Sequence, residues 1–243
     1  MKGAIVSKYE TLYRLPLAFA VTRGEKAEWR KSYRENIVCA NDIEKAIAEN
    51  YDGERLNTDC VKALIDKHGF SRLNWVLGAT VLEHIEDGRF SAGNKQWVGK
   101  FEVVEEKHRL DYCVRSHPGL VNLFIDSVRK QWQELGLYDS SHCISEKDGE
   151  IDYTGRIVVL KAERLTDDYL RPEAQIFYAE SGFGCSPDSG AKKVFGRFLD
   201  TGEQTYIFRS EIAGALKDEN IPDWAKQKVE EFQQHNEMKM EGM

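Results

Sequence analysis

The rhythm of apolar and polar positions changes once along the chain. Up to about residue 137, apolar side chains recur at three- and four-residue intervals, the spacing of one helical face. Asn41 and Glu44 have the form of a capping box, which predicts a helix start with Ile43, Ala46 and Ile47 facing the core. A second helix is predicted from near Thr58, with Val61, Leu64 and Ile65 on its apolar face. It should stop at Gly69, after Lys67 and His68, cations that suit the negative end of the helix dipole. A third runs from Ser71 through Leu73, Val76, Leu77, Thr80 and Val81 and should end before the turn-forming pair Asp87 and Gly88. The longest is predicted over 118–135, with Pro118 at its first position, Ser116 or His117 as cap, and Leu120, Phe124, Val128, Trp132 and Leu135 as its stripe.

Beyond a turn-rich segment at 138–154, the spacing shortens. Segments 157–160, 176–179, 194–199 and 204–208 are short, rich in β-branched and aromatic residues, and separated by Pro and Gly, the marks of strands. Residues 200–203 read as a hairpin connection, and Pro222 as the opening of a last helix that frays over its Met-rich end, 238–243. The expected class is α+β: a helical N-terminal module (1–137), a linker (138–154), a small antiparallel β-rich module (155–224), and a C-terminal helix and tail (225–243).

Charge sharpens this division. Residues 1–137 carry 21 Lys+Arg against 20 Asp+Glu, whereas 138–243 carry 13 against 21. A net charge of −7 disfavours non-specific nucleic-acid binding by the chain as a whole, because that binding is driven by counterion release from an excess of Lys and Arg, and a local basic face is still compatible with it. The apolar run at 15–21 is too short to cross a bilayer, and the expected location is cytoplasmic with no membrane partner. Cys39, Cys60, Cys113, Cys143 and Cys185 contain no C-x-x-C pair, so buried free thiols are expected, with no metal and no cofactor.

Three places invite chemistry. The stretch 180–190, ESGFGCSPDSG, fails the phosphate-loop pattern, since five residues separate Gly184 from Gly190 and Ala191 follows. It fails the nucleophile elbow too, because Pro187 stands two residues after Cys185. A thiol nucleophile at Cys185 would need a base such as His117 or His142; the plainer reading is a bend between strands. Lys26, Arg30 and Arg34 recur every fourth residue as a basic stripe, flanked by Arg23 and Lys31. The stripe either follows a phosphate backbone or acidic groove, or is a solvated face balanced by Glu25, Glu28 and Glu35, with Trp29 and Tyr33 turned to the core. Finally, Arg89, Asn94, Lys95, Arg115 and His117 supply donors for an anion pocket at the helix opening at Pro118, if their segments meet; otherwise Asn94 and His117 are helix caps.

Segments 32–53 (SYRENIVCANDIEKAIAENYDG), 72–81 (RLNWVLGATV), 87–97 (DGRFSAGNKQW) and 116–124 (SHPGLVNLF) resemble an uncharacterised domain family of Gram-positive conjugative elements and prophages. Segment 155–203 is similar to a module that accompanies it on such elements. The resemblance implies no catalytic residue. It implies a mobile-element accessory gene, and hence a non-enzymatic binder acting as an anti-defence inhibitor of a host CRISPR or restriction nuclease, with that nuclease or its nucleic acid as partner. The alternatives are an enzyme acting on nucleic acid or nucleotide through His117 or Cys185, or a regulatory scaffold for conjugation.

Overall fold

The structure is a computed structural model and describes residues 8–145, 151–187 and 192–241. The chain divides into two compact units, 1–134 and 135–243. The α+β class is as the spacing predicts, helices first and an antiparallel sheet second.

The first unit is built from α1 (Leu17–Arg23), α2 (Lys26–Asn50), α3 (Cys60–Glu83), α4 (Ala92–Gly99) and α5 (Pro118–Gln133), with a 3-10 turn at Lys107–Tyr112. Its core holds Ile43 and Ile47 from α2, Leu73, Val76 and Leu77 from α3, and Phe124, Ile125 and Val128 from α5. One sequence expectation changes and another holds. No helix starts at Asn41: α2 runs unbroken through it. The Glu44 side chain that mimics the acid of a capping box serves a tertiary contact instead, accepting the Arg115 backbone N–H at 2.6 Å. The expected stop at Gly69 is present, and α3 consists of two helices that meet there across a kink. At φ 76°, ψ 159° Gly69 adopts a conformation that a side chain would strain, and the chain resumes its helix at once.

Arg72, just past that kink, is buried. One guanidinium nitrogen donates to the Ser32 carbonyl (2.9 Å) and Asn36 Oδ1 (2.5 Å), the other to the carbonyls of Glu10 (2.9 Å) and Thr11 (3.2 Å). The fork of Arg lets one side chain tie α2 to the segment that precedes α1, which a Lys point charge would not reproduce.

The second unit is a five-stranded antiparallel sheet of β1 (Arg156–Leu160), β2 (Ile176–Ser181), β3 (Lys193–Phe198), β4 (Gln204–Phe208) and β5 (Ile212–Ala215), in the order β4-β3-β2-β1-β5. Val158, Phe177, Val194 and Ile207 fill one face together with Cys185. Ile157, Ile176 and Tyr178 fill the other, under Trp224, Val229 and Phe232 of α6 (Asp223–Glu241). β2 and β3 pass closely at Gly196, where a Cβ would lie 1.9 Å from the Tyr178 carbonyl oxygen.

The segment expected as a linker is part of this sheet unit wherever it is described. Cys143 bridges to Leu216, Tyr153 is buried, and the Gln175 amide donates to the carbonyls of Tyr138 (3.0 Å) and Leu160 (2.9 Å). The predicted fraying over 238–243 is also corrected in part, since the helix continues through Glu241, and the last two residues lie outside the described residues.

A candidate basic and aromatic cleft on α2

Helical periodicity sorts α2 into bands. Ser32, Asn36, Cys39, Ile43 and Ile47 are buried, three or four residues apart. Trp29 and Tyr33 come next around the cylinder, half-buried at the border instead of turned fully inward. Lys26, Arg30 and Arg34 follow, exposed. The aromatic pair stacks at 5.0 Å between ring centroids and 11° between planes, as their four-residue spacing permits.

The ring of His108, delivered by the 3-10 turn, stands edge-on to Trp29 at 5.7 Å and to Tyr33 at 6.1 Å. The Tyr33 hydroxyl donates to the Asp111 carboxylate. Partial burial, with that carboxylate beside it, pushes the Tyr33 phenol up to about 12, so it remains a neutral donor throughout the physiological range. Behind Tyr33 the aromatic chain enters the core through Tyr112, in edge contact at 6.1 Å, whose hydroxyl accepts from Trp75 Nε1 at 3.3 Å. The exposed stripe is thus backed by an anchored wall.

Lys26, Trp29, Arg30, Tyr33, Arg34 and His108, with Leu17, line an open cleft of about 430 Å³. On the other side of the Trp29 and Tyr33 wall lies a void of about 10 Å³, room for about one water. The carboxylates expected to balance the stripe do not do so. Glu25 accepts from the Tyr13 hydroxyl at 2.6 Å, and among the described residues Lys26, Arg30 and Arg34 have no carboxylate within ion-pair distance. Lys31, on the flank, is paired with Glu10 at 2.6 Å.

The second candidate group is brought together only in part. Arg89 Nη1 lies 3.1 Å from His117 Nε2, and the Ser91 N–H donates to Asn122 Oδ1 at 2.9 Å, so the two segments meet. Their donors are turned to internal partners. Arg89 grips Asp87 through Nε (2.9 Å) and Nη2 (2.6 Å), hydrogen bonds that hold the Asp87 carboxyl well below the usual carboxylate range. Asn94 is buried; it donates to Asn122 and Asp126 and accepts from Arg129 at 2.7 Å, while Ser91 caps the helix in its place.

His117 does cap α5, its Nδ1 accepting the Gly119 N–H at 3.2 Å. A neutral imidazole accepts at one nitrogen only, so this cap and the Arg89 contact are not both hydrogen bonds in one tautomer. Lys95 is half-buried and Arg115 exposed, with no side-chain hydrogen bond or ion pair among the described residues.

Cys185 sits in the sheet core, 1 % exposed, and burial pushes its thiol up, the reverse of what a thiolate nucleophile requires. Its loop is a bend held by Arg209, which donates to the carbonyls of Gly184 (3.0 Å), Cys185 (2.8 Å) and Ile151 (2.9 Å) and stacks over Tyr153. Asp188, Ser189 and Gly190 lie outside the described residues. His142 is engaged locally, its Nδ1 2.9 Å from Asp139 Oδ1 in a capping arrangement. Among the described residues no helix is long and apolar enough to cross a membrane.

Of the candidate surfaces on the helical unit, the α2 cleft is the most complete, and it is basic and aromatic. Residues 12–133 match the family model described as "Protein of unknown function (DUF3849)", and the chain belongs to that family. No curated protein and no solved structure matches the chain.

Proposed function

We propose that this chain is a non-enzymatic binder whose helical unit holds a single-stranded nucleic-acid segment in the α2 cleft. The observation that carries this is the unpaired stripe of Lys26, Arg30 and Arg34 beside the Trp29 and Tyr33 wall. Cations without carboxylate partners attract phosphate and release its counterions on contact. Aromatic side chains in the same cleft add base stacking, worth about 1–3 kcal/mol per base and tolerant of sequence. An acidic protein groove would use the cations and leave the aromatic wall idle. The stripe spans eight residues of helix, about 12 Å at 1.5 Å per residue, a length suited to successive phosphates.

The setting we infer is an accessory gene of a Gram-positive prophage or conjugative element, with the sheet unit as companion module, acting in the host cytoplasm. It rests on the resemblance of the four helical segments and of 155–203. In that setting the partner is a host defence nuclease, CRISPR or restriction, or the nucleic acid it uses, and binding denies the nuclease its substrate or guide. The use of His117 as a cap and the raised pKa of buried Cys185 favour this reading over catalysis by either residue.

The test is survival of phage or plasmid in cells that carry a panel of restriction and CRISPR systems, with and without the chain. Protection by the native chain, lost on Lys26/Arg30/Arg34→Glu and retained on His117→Ala and Cys185→Ser, is the expected pattern. Absence of protection across the panel removes the anti-defence role.

A further inference from the structure

The two edges of the sheet differ. At β5 the edge is covered: the Ile144 N–H donates to the Ala215 carbonyl at 2.8 Å, Cys143 bridges to Leu216, and the Lys217 N–H donates to the His142 carbonyl at 3.1 Å. At β4, among the described residues, no strand or segment pairs with the outer side.

The direction of each β4 backbone group follows from its register. β3 and β4 pair Lys193 with Phe208, Phe195 with Tyr206 and Arg197 with Gln204. The Phe198 N–H donates to the Glu203 carbonyl and the Arg209 N–H to the Lys192 carbonyl, both at 3.1 Å. In an antiparallel ladder, hydrogen-bonded and non-hydrogen-bonded pairs alternate. Residues 203, 205, 207 and 209 therefore turn their N–H and C=O toward β3, and Gln204, Tyr206 and Phe208 turn theirs to the free edge. One of these groups is occupied, since the Phe208 N–H donates to Glu211 Oε2 at 2.8 Å. Among the described residues, the amides and carbonyls at Gln204 and Tyr206 have no partner on that side.

Tyr206 and Phe208, with Phe195 of β3, place an apolar strip beside that edge. Phe195, Tyr206 and Phe208 are 46 %, 43 % and 38 % exposed, on the sheet face that α6 covers only as far as Arg197, whose guanidinium lies over Phe232. Their rings touch, Phe195 to Tyr206 at 6.0 Å and Tyr206 to Phe208 at 5.8 Å. Exposed aromatics on an unpaired edge are what soluble proteins ordinarily avoid, because such an edge is a template for another strand. Local charge departs from the acidic balance of residues 138–243: Lys192 and Lys193 are exposed with no carboxylate within ion-pair distance among the described residues, and Lys193 Nζ sits 3.8 Å from the Tyr206 ring centroid.

We propose that the β4 edge is a docking site for an extended, acidic peptide segment of a partner protein, which adds to the sheet as a sixth strand. Its backbone pairs with Gln204 and Tyr206, its apolar side chains cover Tyr206 and Phe208, and its carboxylates lie beside Lys192 and Lys193. Strand addition of this kind takes affinity from main-chain hydrogen bonds and specificity from alternate side chains. The edge offers a donor and an acceptor at every second residue, the pattern of a peptide backbone and not of a phosphate chain.

The test uses the full chain and a synthetic heptapeptide alternating glutamate with valine and phenylalanine, against a scrambled peptide of the same composition and a version N-methylated at alternate amides. Saturable binding is expected, with slowed amide exchange at Gln204 and Tyr206 and at least tenfold weaker binding by the scrambled peptide and by the peptide N-methylated on its edge-facing amides. Gln204→Pro removes an outward-facing donor, which edge strands tolerate, and Tyr206→Pro removes another together with its ring; each should weaken binding tenfold or more with the circular dichroism spectrum retained. Lys192/Lys193→Glu should weaken it similarly. No saturable binding up to millimolar peptide, equal binding of the N-methylated peptide, or protection mapped elsewhere overturns the proposal. So does sedimentation as a dimer that Tyr206→Pro dissolves, which would make a second copy the occupant.

Discussion

Trp29 and Tyr33 stack 5.0 Å apart, one turn from each other on α2, and the two rings form the wall between a cleft lined by Lys26, Arg30 and Arg34 and the small void in front of Trp75. The cations alone would bind any polyanion. In the proposed function, the rings are what would favour an anion that carries flat bases.

Trp29→Ala removes one side of that wall. Affinity for single-stranded oligonucleotide should fall by about 1–3 kcal/mol, the range for one stacked base, with the salt dependence unchanged because no cation is lost. Fluorescence titration at two salt concentrations measures both quantities. Tyr33→Phe keeps the ring, loses the hydrogen bond to Asp111, and should bind nearly as the native chain does.

His68 supplies a pH dependence. Its Nε2 lies 2.7 Å from Asp42 Oδ2, which also accepts from Lys67 at 2.6 Å. Burial pushes the imidazole below its ordinary pKa and outweighs the pull of the carboxylate. The unfolded chain then binds the proton more readily, so this contribution to stability is complete above an unfolded pKa of about 6.5 and is lost as pH falls toward the folded value. Denaturant midpoints between pH 7.5 and 5 should decline in the native chain and decline less in His68→Gln.

Thiol labelling separates the cysteines. Cys39, Cys113, Cys143 and Cys185 are buried and Cys60 is half-exposed. Burial pushes the Cys39 thiol up to about 12 and that of Cys113 to about 11. A maleimide at neutral pH should modify Cys60 first and leave the other four unreacted until the chain unfolds. Rapid labelling of Cys185 in the folded protein would revive the catalytic reading of its loop.

Asn74 carries a fully buried amide with no hydrogen-bond partner among the described residues for either Nδ2 or Oδ1. Replacing an unsatisfied amide by a similar apolar volume removes a desolvation cost of about 1–3 kcal/mol. Asn74→Leu should therefore raise the urea midpoint, and a fall of similar size would show that the amide has a partner in solution.

The helices were legible where apolar spacing alone sets them, and the turn chemistry at Gly69 and Pro118 was legible as punctuation. Asn41 and Glu44 misled because a capping box is only a local pattern. Asp42, inside it, is held by Lys67 and His68 of α3, a pairing that local sequence does not contain. β5 was missed since Ile-Ala-Gly-Ala lacks the bulky residues that mark strands, and its pairing with β1 compensates. The basic stripe could be read from its four-residue period. That Glu25 would turn to Tyr13 instead of the stripe, and that His108 would close the cleft from a distant turn, are tertiary facts with no local signal.

Binding of single-stranded nucleic acid in the α2 cleft can be read from the anisotropy of a fluorescent fifteen-nucleotide oligothymidylate, titrated with the native chain and with Lys26/Arg30/Arg34→Glu across a range of salt. Three phosphate contacts on a single strand predict a slope of log K against log salt near −2, at about −0.7 per contact, and binding abolished in the triple variant while its circular dichroism spectrum is unchanged. Native binding without salt dependence, or a folded triple variant that binds as tightly as the native chain, would contradict the account.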